Sequence, residues 1–201
     1  VYRSPDDTLE DAQLQKFEHW CQALDLGPRD HVLEIGSGWG GMALYAARTR
    51  GCRVTGITVS REQLVLSRAR AAAQGLDQLV EFQFCDYRDV EGQFSKVVSI
   101  EMIEAVGEEF WPTYFAKVDE ILAPGGRAGI QAITMVDTHF ASYRRHCDWI
   151  QKYIFPGGLL PSIGEVVRVT AAHTTLGLFG LEDRPLDYAR TLEAWRRRFF
   201  E

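Results

Sequence analysis

The 201-residue chain is poor in the features that mark metal proteins, membrane proteins and nucleic-acid binders. Its four cysteines, Cys21, Cys52, Cys85 and Cys147, are scattered, with no C-x-x-C and no metal-ligand spacing. Three of them lie in apolar patterns, which favours buried reduced thiols and a reducing cytoplasm. No apolar run approaches the roughly 20 residues of a membrane span, and no signal peptide opens the chain. Basic charge is in deficit, 22 Lys and Arg against 28 Asp and Glu, and the net charge of -6 argues against a nucleic-acid partner. There is no internal repeat, low-complexity tract or linker, so a single domain over residues 1–201 is expected. The chain starts at Val1 without Met and stops at "RRRFFE", which reads as a fragment trimmed at both ends.

What is there is an alternation of strands and helices. Leu9, Ala12, Phe17, Trp20, Cys21 and Leu24 form one helical stripe, with Thr8 and Asp11 as its capping box. "HVLEI" is a strand, and the "WGGMALYAARTR" helix follows with Met42, Ala43, Ala46 and Ala47 apolar. "CRVTGITV" is the second strand, and Ser60 with Gln63 signals a capped helix over 61–74. "LVEFQF" and "FSKVVSIEM" are the third and fourth strands. "FWPTYFAKVDEIL" is a helix stopped by "PGG", and "RAGIQAIT" is the fifth strand. Residues 137–153 and "LPSIGEVVRVTA" read as helices, and "HTTLGLFGLEDRPL" as leading into antiparallel strands. This order predicts an α/β, Rossmann-like fold: a mostly parallel sheet, seven-stranded in all, with helices on both faces.

The glycines of "HVLEIGSGWGG" sit where the first strand turns into a helix, a place where backbone approaches a nucleotide-like ligand. Their spacing, Gly36, Gly38, Gly40 and Gly41, is not the dinucleotide G-x-G-x-x-G. Glu34 stands inside the otherwise apolar strand, and a carboxylate there needs a partner. E-x-G-x-G is the common pattern of S-adenosylmethionine methyltransferases; that resemblance implies that Glu34 orders the loop and nears the amino-acid end of the cofactor, with Gly36, Ser37 and Gly38 beneath it. The second strand ends in "GITVS", with no acid for a ribose. Thr58, the Val59 backbone and Gln63 are left to make the polar contacts. In "FCDYRD", Asp86 can accept from an adenine amino group while Tyr87 flanks the ring. Ile100, ending the fourth strand, completes the cofactor set.

"LEIGSGWGG", "VTGITVSREQ", "DYRDVEGQFSKVVSIEMIEAVG" and "QKYIFPGGLLPS" together resemble the cyclopropane-fatty-acyl-phospholipid synthase family, which includes the mycolic acid cyclopropane synthases. The resemblance runs from about Val1 to the C-terminus. "IFPGG" and the spacing from "DYRD" to "EAVG" are its most specific parts. It implies a class I methyltransferase fold, S-adenosylmethionine as cofactor, no metal, and an unsaturated phospholipid acyl chain as substrate. The family's sulfonium methyl adds to a cis alkene and leaves a carbocation. Loss of a proton then closes a cyclopropane, or a hydride shift gives a methyl or methylene branch. Trp39, Tyr153 and Phe155 are candidates to face that cation. The enzyme is expected in the cytoplasm, with peripheral contact at the inner membrane surface; its oligomeric state is left open.

By the same resemblance, Glu104, with a histidine and a late tyrosine, holds a bicarbonate ion that acts as the base. The late tyrosine is expected beyond residue 201. Glu104 follows an apolar strand, where an acid's pKa should be raised. Glu101 stands where the family usually has a small residue and is the lesser candidate. Two positions depart from the family: Ala105 follows Glu104 in place of a histidine, and Gln131 replaces the histidine of the fifth strand. Glutamine donates a hydrogen bond but holds no charge-bearing proton. His139, His146 and His173 read as surface or capping residues. Arg144, Arg145 and Lys152, in the segment that resembles the acyl-site cover, are candidates for lipid phosphates. Two other readings stay open: a small-molecule N- or O-methyltransferase, and a non-catalytic module that binds cofactor or lipid.

Overall fold

Short β-branched segments bounded by glycine, proline or charge supply the strands. The computed structural model describes residues 1–201. Five strands, β1 (His31–Ile35), β2 (Arg53–Thr58), β3 (Val80–Phe84), β4 (Phe94–Ile100) and β5 (Leu122–Gln131), form one sheet in the order β3-β2-β1-β4-β5. Every pairing is parallel; Glu34, for instance, lies opposite Gly56 on one side and Val98 on the other. The chain winds outward from β1 to β3, then crosses back to start β4 on β1's other edge. The strand order therefore reverses between β1 and β4, and a crevice opens there at the carboxyl edge, where open α/β sheets bind ligands.

The two faces carry separate cores. Helices α1 (Leu9–Ala23), α2 (Gly41–Arg50) and α3 (Arg61–Ala73) cover one face, burying Cys21, Met42, Ala46 and Ala71 against Val32, Val54, Phe82 and Val98. The other face packs Leu33, Ile35, Ile57 and Val97 beneath α5 (Trp111–Ile121), with Phe140 of α6 (Asp137–Tyr143) and Val169 of α8 (Ile163–His173) alongside. A short α4 (Ile103–Val106) precedes α5. Alternation along β1 divides it between the two cores, and puts Glu34 on the side of α1 and α2.

The capping box at Thr8 and Asp11 forms as the sequence predicts. At Ser60 only half does. The hydroxyl accepts from the Gln63 N–H, but the Gln63 side chain turns to the Thr58 hydroxyl instead. The expected helix over 137–153 splits, because Asp148 starts a second capping box and with it α7 (Trp149–Tyr153).

The sheet has five strands, not seven. Residues 174–184 are irregular, and Pro185–Phe200 is a helix, α9, rather than an antiparallel strand. Gly177 and Gly180 interrupt the apolar pattern of the irregular part. In α9 the apolar residues Leu186, Ala189, Leu192, Trp195 and Phe199 recur every three or four residues, a helical and not an alternating period, and Pro185 suits the first turn. The irregular stretch is held by Asp119, which accepts from the Thr175 backbone N–H at 2.7 Å, and by Arg127 stacked over Phe179. All four cysteines are free; Cys21 and Cys52 are buried, and Cys147 is exposed.

Candidate active site

Glu34 finds its partner across the glycine turn. Its Oε2 accepts the Ala43 N–H at 3.1 Å. Ala43 is the third residue of α2, whose N-cap is Gly40 and carries no side chain. A buried strand carboxylate thus caps a helix that its own N-cap leaves bare. Burial pushes the Glu34 pKa up to about 8, against the pull of the Ala43 bond and the Lys16 charge. The turn is tied to β2 by the Gly36 and Ser37 N–H groups, which both donate to the Ile57 carbonyl. Gly36 has φ +77°, and a Cβ there would overlap Met102 Sδ. Apart from its own residue and its chain neighbours, no protein atom lies within 4 Å of where a Gly38 Cβ would stand. The Ser37 hydroxyl is buried and has no partner.

At the end of β2, Thr58 Oγ1 donates to Gln63 Oε1 at 2.8 Å and accepts the Ser60 N–H, while Val59 projects outward, 67 % exposed. Beyond β3, both oxygens of Asp86 are engaged by Arg88, at 2.9 and 2.7 Å, and this hydrogen-bonded pairing holds the Asp86 carboxyl below its usual range. Tyr87 sets its ring against that of Tyr114. Trp39, on the glycine turn, is half exposed.

The β4–β5 side is built of carboxylates. Ile100 ends β4, and Glu101 follows it with φ +55°, a left-handed backbone that a non-glycine residue adopts only under constraint. The constraint is Gln131. Its carbonyl accepts the Glu101 N–H at 2.9 Å, and its Nε2 donates to Glu101 Oε1 at 2.8 Å. Trp20 Nε1 in turn donates to Gln131 Oε1 at 3.3 Å, which fixes which end of the amide faces Glu101. The two residues taken as catalytic from sequence, Glu104 and Gln131, therefore do not bond to each other. Glu104 Oε1 accepts the Ile133 N–H, while its Oε2 is buried without a partner. Burial raises the Glu104 pKa, and the nearby Glu101 adds to the rise. The Glu104 carbonyl accepts the Leu159 N–H at 2.9 Å, so the "IFPGGLL" segment hangs on the same residue.

Sequence reasoning missed one member of this group. Tyr188, on α9, is close enough to Glu101 and Glu104 for both acids, after burial, to raise its pKa. The helical period of residues 185–200 was the signal that could have placed it. Arg144 pairs with Glu108 at 2.8 Å, and Arg168 with Glu165, around a separate cleft of about 860 Å³ under Gly157 and Gly158.

A parallel sheet whose order reverses at β1 and β4, with a glycine turn under a strand carboxylate, defines a class I methyltransferase fold. The chain belongs to the mycolic acid cyclopropane synthetase family, whose model it matches over residues 1–201. It is 46% identical over 193 residues to the tuberculostearic acid methyltransferase UfaA1 of Mycobacterium tuberculosis, covering 96% of this chain and 45% of that protein. It is 40% identical over 203 residues to the cyclopropane-fatty-acyl-phospholipid synthase of Escherichia coli K12, covering 99% of this chain and 50% of that one. Among solved structures, the mycolic acid cyclopropane synthase CmaA1 complexed with SAH and CTAB superposes with a TM-score of 0.87 at 25% identity, over 96% of this chain and 71% of that one. The chain spans about half the length of the curated relatives it matches. No helix is long and apolar enough to cross a membrane.

Proposed function

We propose that residues 1–201 work as one methyl-transfer domain, which binds S-adenosylmethionine in the β1–β4 crevice and delivers its methyl carbon to the alkene of an unsaturated phospholipid acyl chain. The cofactor supplies an electrophilic methyl on a sulfonium. Ser37, with its unpartnered buried hydroxyl, and Gly38, with open space above it, fit such a ligand at the turn. Glu34 and Gly36 shape that turn. Thr58, Val59 and Gln63 lie on the ribose side, Asp86 and Tyr87 on the adenine side, and Ile100 between them and the reacting centre.

The observation that carries the chemistry is the juxtaposition of Glu101, Glu104, Gln131 and Tyr188 at the β4–β5 edge. Methyl addition leaves a carbocation, and a proton must then depart, from the new methyl group for a cyclopropane or after a hydride shift for a methylene branch. Glu104 offers an unpartnered oxygen as acceptor, and Glu101 a second carboxylate steered by Gln131. Tyr188 takes the part of the late tyrosine. Bicarbonate does not fit this donor set. Two carboxylates already occupy the site, the amide of Gln131 is spent on one of them, and a further anion would meet like charge. Glu101 supplies internally the carboxylate that the ion would bring. The exposed Trp149, Tyr153 and Phe155, with Lys152 among them, give an acyl chain its cover and the bilayer surface a point of peripheral contact.

The test is labelled-methyl transfer to monounsaturated phospholipid vesicles, with mass analysis of the lipid. Glu104→Gln should keep S-adenosylhomocysteine affinity and lose about 10²–10⁴-fold in transfer, and Glu101→Gln should lose transfer as well. Omitting bicarbonate should leave the rate unchanged. Label passing to small amines or phenols, with none in lipid, would move the chain to the small-molecule methyltransferases. A bicarbonate requirement would remove Glu101 from its assigned part.

A further inference from the structure

One cation in the crevice has no part in the chemistry above. Lys16 lies on α1 just ahead of two residues that fix this stretch of the helix. Phe17, next to it, sets its ring against Gly41 at the start of α2, so tightly that a Cβ there would stand 2.9 Å from the ring. Trp20, one turn on, reaches Gln131 at the end of β5. The two contacts hold this stretch of α1 across the gap between the glycine turn and the β4–β5 edge. The other charged residues of α1 have partners: Glu10 pairs with Arg198, Glu18 with Arg50, and Asp11 accepts from Thr8 in the cap. The Lys16 ammonium forms no ion pair and no hydrogen bond with the protein, and comes no closer to a ring than 5.6 Å from the Phe17 centroid. Burial lowers the Lys16 pKa, against the opposing pull of Glu101 and, less, of Glu34.

We infer that Lys16 anchors the carboxylate of the cofactor's amino-acid end. The inference rests on the cofactor proposed above. Its basis is charge pattern. A single cation with the Glu101 carboxylate on one side suits a zwitterion, with carboxylate toward Lys16 and ammonium and sulfonium toward Glu101. A phosphate would gain one cation and face the Glu101 carboxylate. The glycine turn brings backbone N–H groups and no cation to this end of the crevice, so the lysine supplies the one full positive charge there. A charge-assisted bond of this kind is strong where water is partly excluded.

Calorimetric titration with two nucleosides separates this role from a structural one. S-adenosylhomocysteine carries the amino-acid end; 5′-methylthioadenosine keeps the adenosine and the sulfur and lacks it. Lys16→Met should weaken S-adenosylhomocysteine about tenfold to a hundredfold and leave 5′-methylthioadenosine unchanged. Lys16→Arg should recover most of the loss. Unchanged S-adenosylhomocysteine affinity in Lys16→Met would overturn the inference, as would equal weakening of both nucleosides, which would mark Lys16 as a prop for α1. If the unsubstituted protein binds neither nucleoside, the cofactor reading itself fails, before any variant is compared.

Discussion

The two sides of the sheet's carboxyl edge are built by opposite means. At β1 and β2 the polar groups, the buried Ser37 hydroxyl apart, are spent on one another. Glu34 caps α2, Thr58 holds Gln63, Ser60 caps α3, and the Gly36 and Ser37 amides close on Ile57. At β4 and β5 the polar groups are strained or in surplus. Glu101 sits in a left-handed backbone, Glu104 keeps a buried oxygen without a partner, and burial, with the charges of both acids, raises the pKa of Tyr188. The first arrangement suits binding, because a turn already locked by the protein costs little to order around a ligand. The second suits chemistry, because a desolvated acid is a stronger proton acceptor than one in water. Each side can be broken separately.

The largest effect should come from the glycine turn. Gly36→Val places a β-branched residue at φ +77° and drives its Cβ onto Met102. Left-handed backbone costs a residue with a Cβ about 1–2 kcal/mol, and the overlap adds to it, so stability should fall by more than that and S-adenosylhomocysteine binding should disappear from a calorimetric trace. Gly38→Ala sharpens the point. Gly38 is also left-handed, with φ +53°, but nothing beyond its chain neighbours meets the methyl group, so the stability loss should stay within the about 1–2 kcal/mol of the backbone alone, while nucleoside affinity falls tenfold or more. Equal affinity for Gly38→Ala and the parent would mean that the ligand does not lie over this turn.

The second effect belongs to Glu34 and appears as a pH slope. Its pKa in the folded chain is about 8, against 4.5 for an unperturbed glutamate. The folded state therefore holds the proton more tightly than the unfolded state. The stability this gives is fully present below about pH 4.5 and is lost as pH rises toward 8. Glu104, also raised, adds to the same slope. Glu34→Gln keeps an oxygen for the Ala43 N–H and removes the proton. Chemical denaturation at pH 5 and pH 8 should show a difference on the order of 3 kcal/mol in the parent and most of it gone in the variant. A parent and variant with the same slope would show that Glu34 keeps its charge in the fold.

These expectations differ in how far they could be read from sequence. The need of Glu34 for a partner follows from a lone carboxylate in "HVLEI", and the Thr8 cap from local spacing; both are questions of a few residues. The partner of Gln131 is not local. It depends on β4 and β5 pairing so that Ile100 faces Gln131, and on Trp20 arriving from a helix more than a hundred residues earlier. Nor does a sequence show that a glutamate takes φ +55°, which only the grip of Gln131 on Glu101 sustains. Tyr188 reaches the site because α9 is seated on the N-terminal segment. Arg190 donates to the Ser4 and Pro5 carbonyls, and Asp187 accepts the Tyr2 N–H. What could be read at β1 and β2 is turn chemistry; at β4 and β5 the sequence points to Glu104 and Gln131, but the contacts that hold them are long-range.

The smallest effect tests whether the binding side extends past β3. Asp86 is the one polar group there with two claims on it: the adenine amino group that the sequence assigns to it, and the Arg88 guanidinium that engages both its oxygens. A carboxylate has about four acceptor sites, so the two claims are compatible, but an ion pair this exposed weakens what a ligand gains. Asp86→Ala should therefore lower S-adenosylhomocysteine affinity about tenfold, the low end of a charge-assisted bond. The loss should appear equally with 5′-methylthioadenosine, since the adenine is common to both, in contrast to the selective loss expected at Lys16. Arg88→Ala frees the carboxylate without removing it and should change affinity by no more than about twofold, as exposed pairs contribute little. Should Arg88→Ala weaken binding as much as Asp86→Ala, the pair's role is to hold the 87–89 turn in place, and the adenine contact passes to Tyr87.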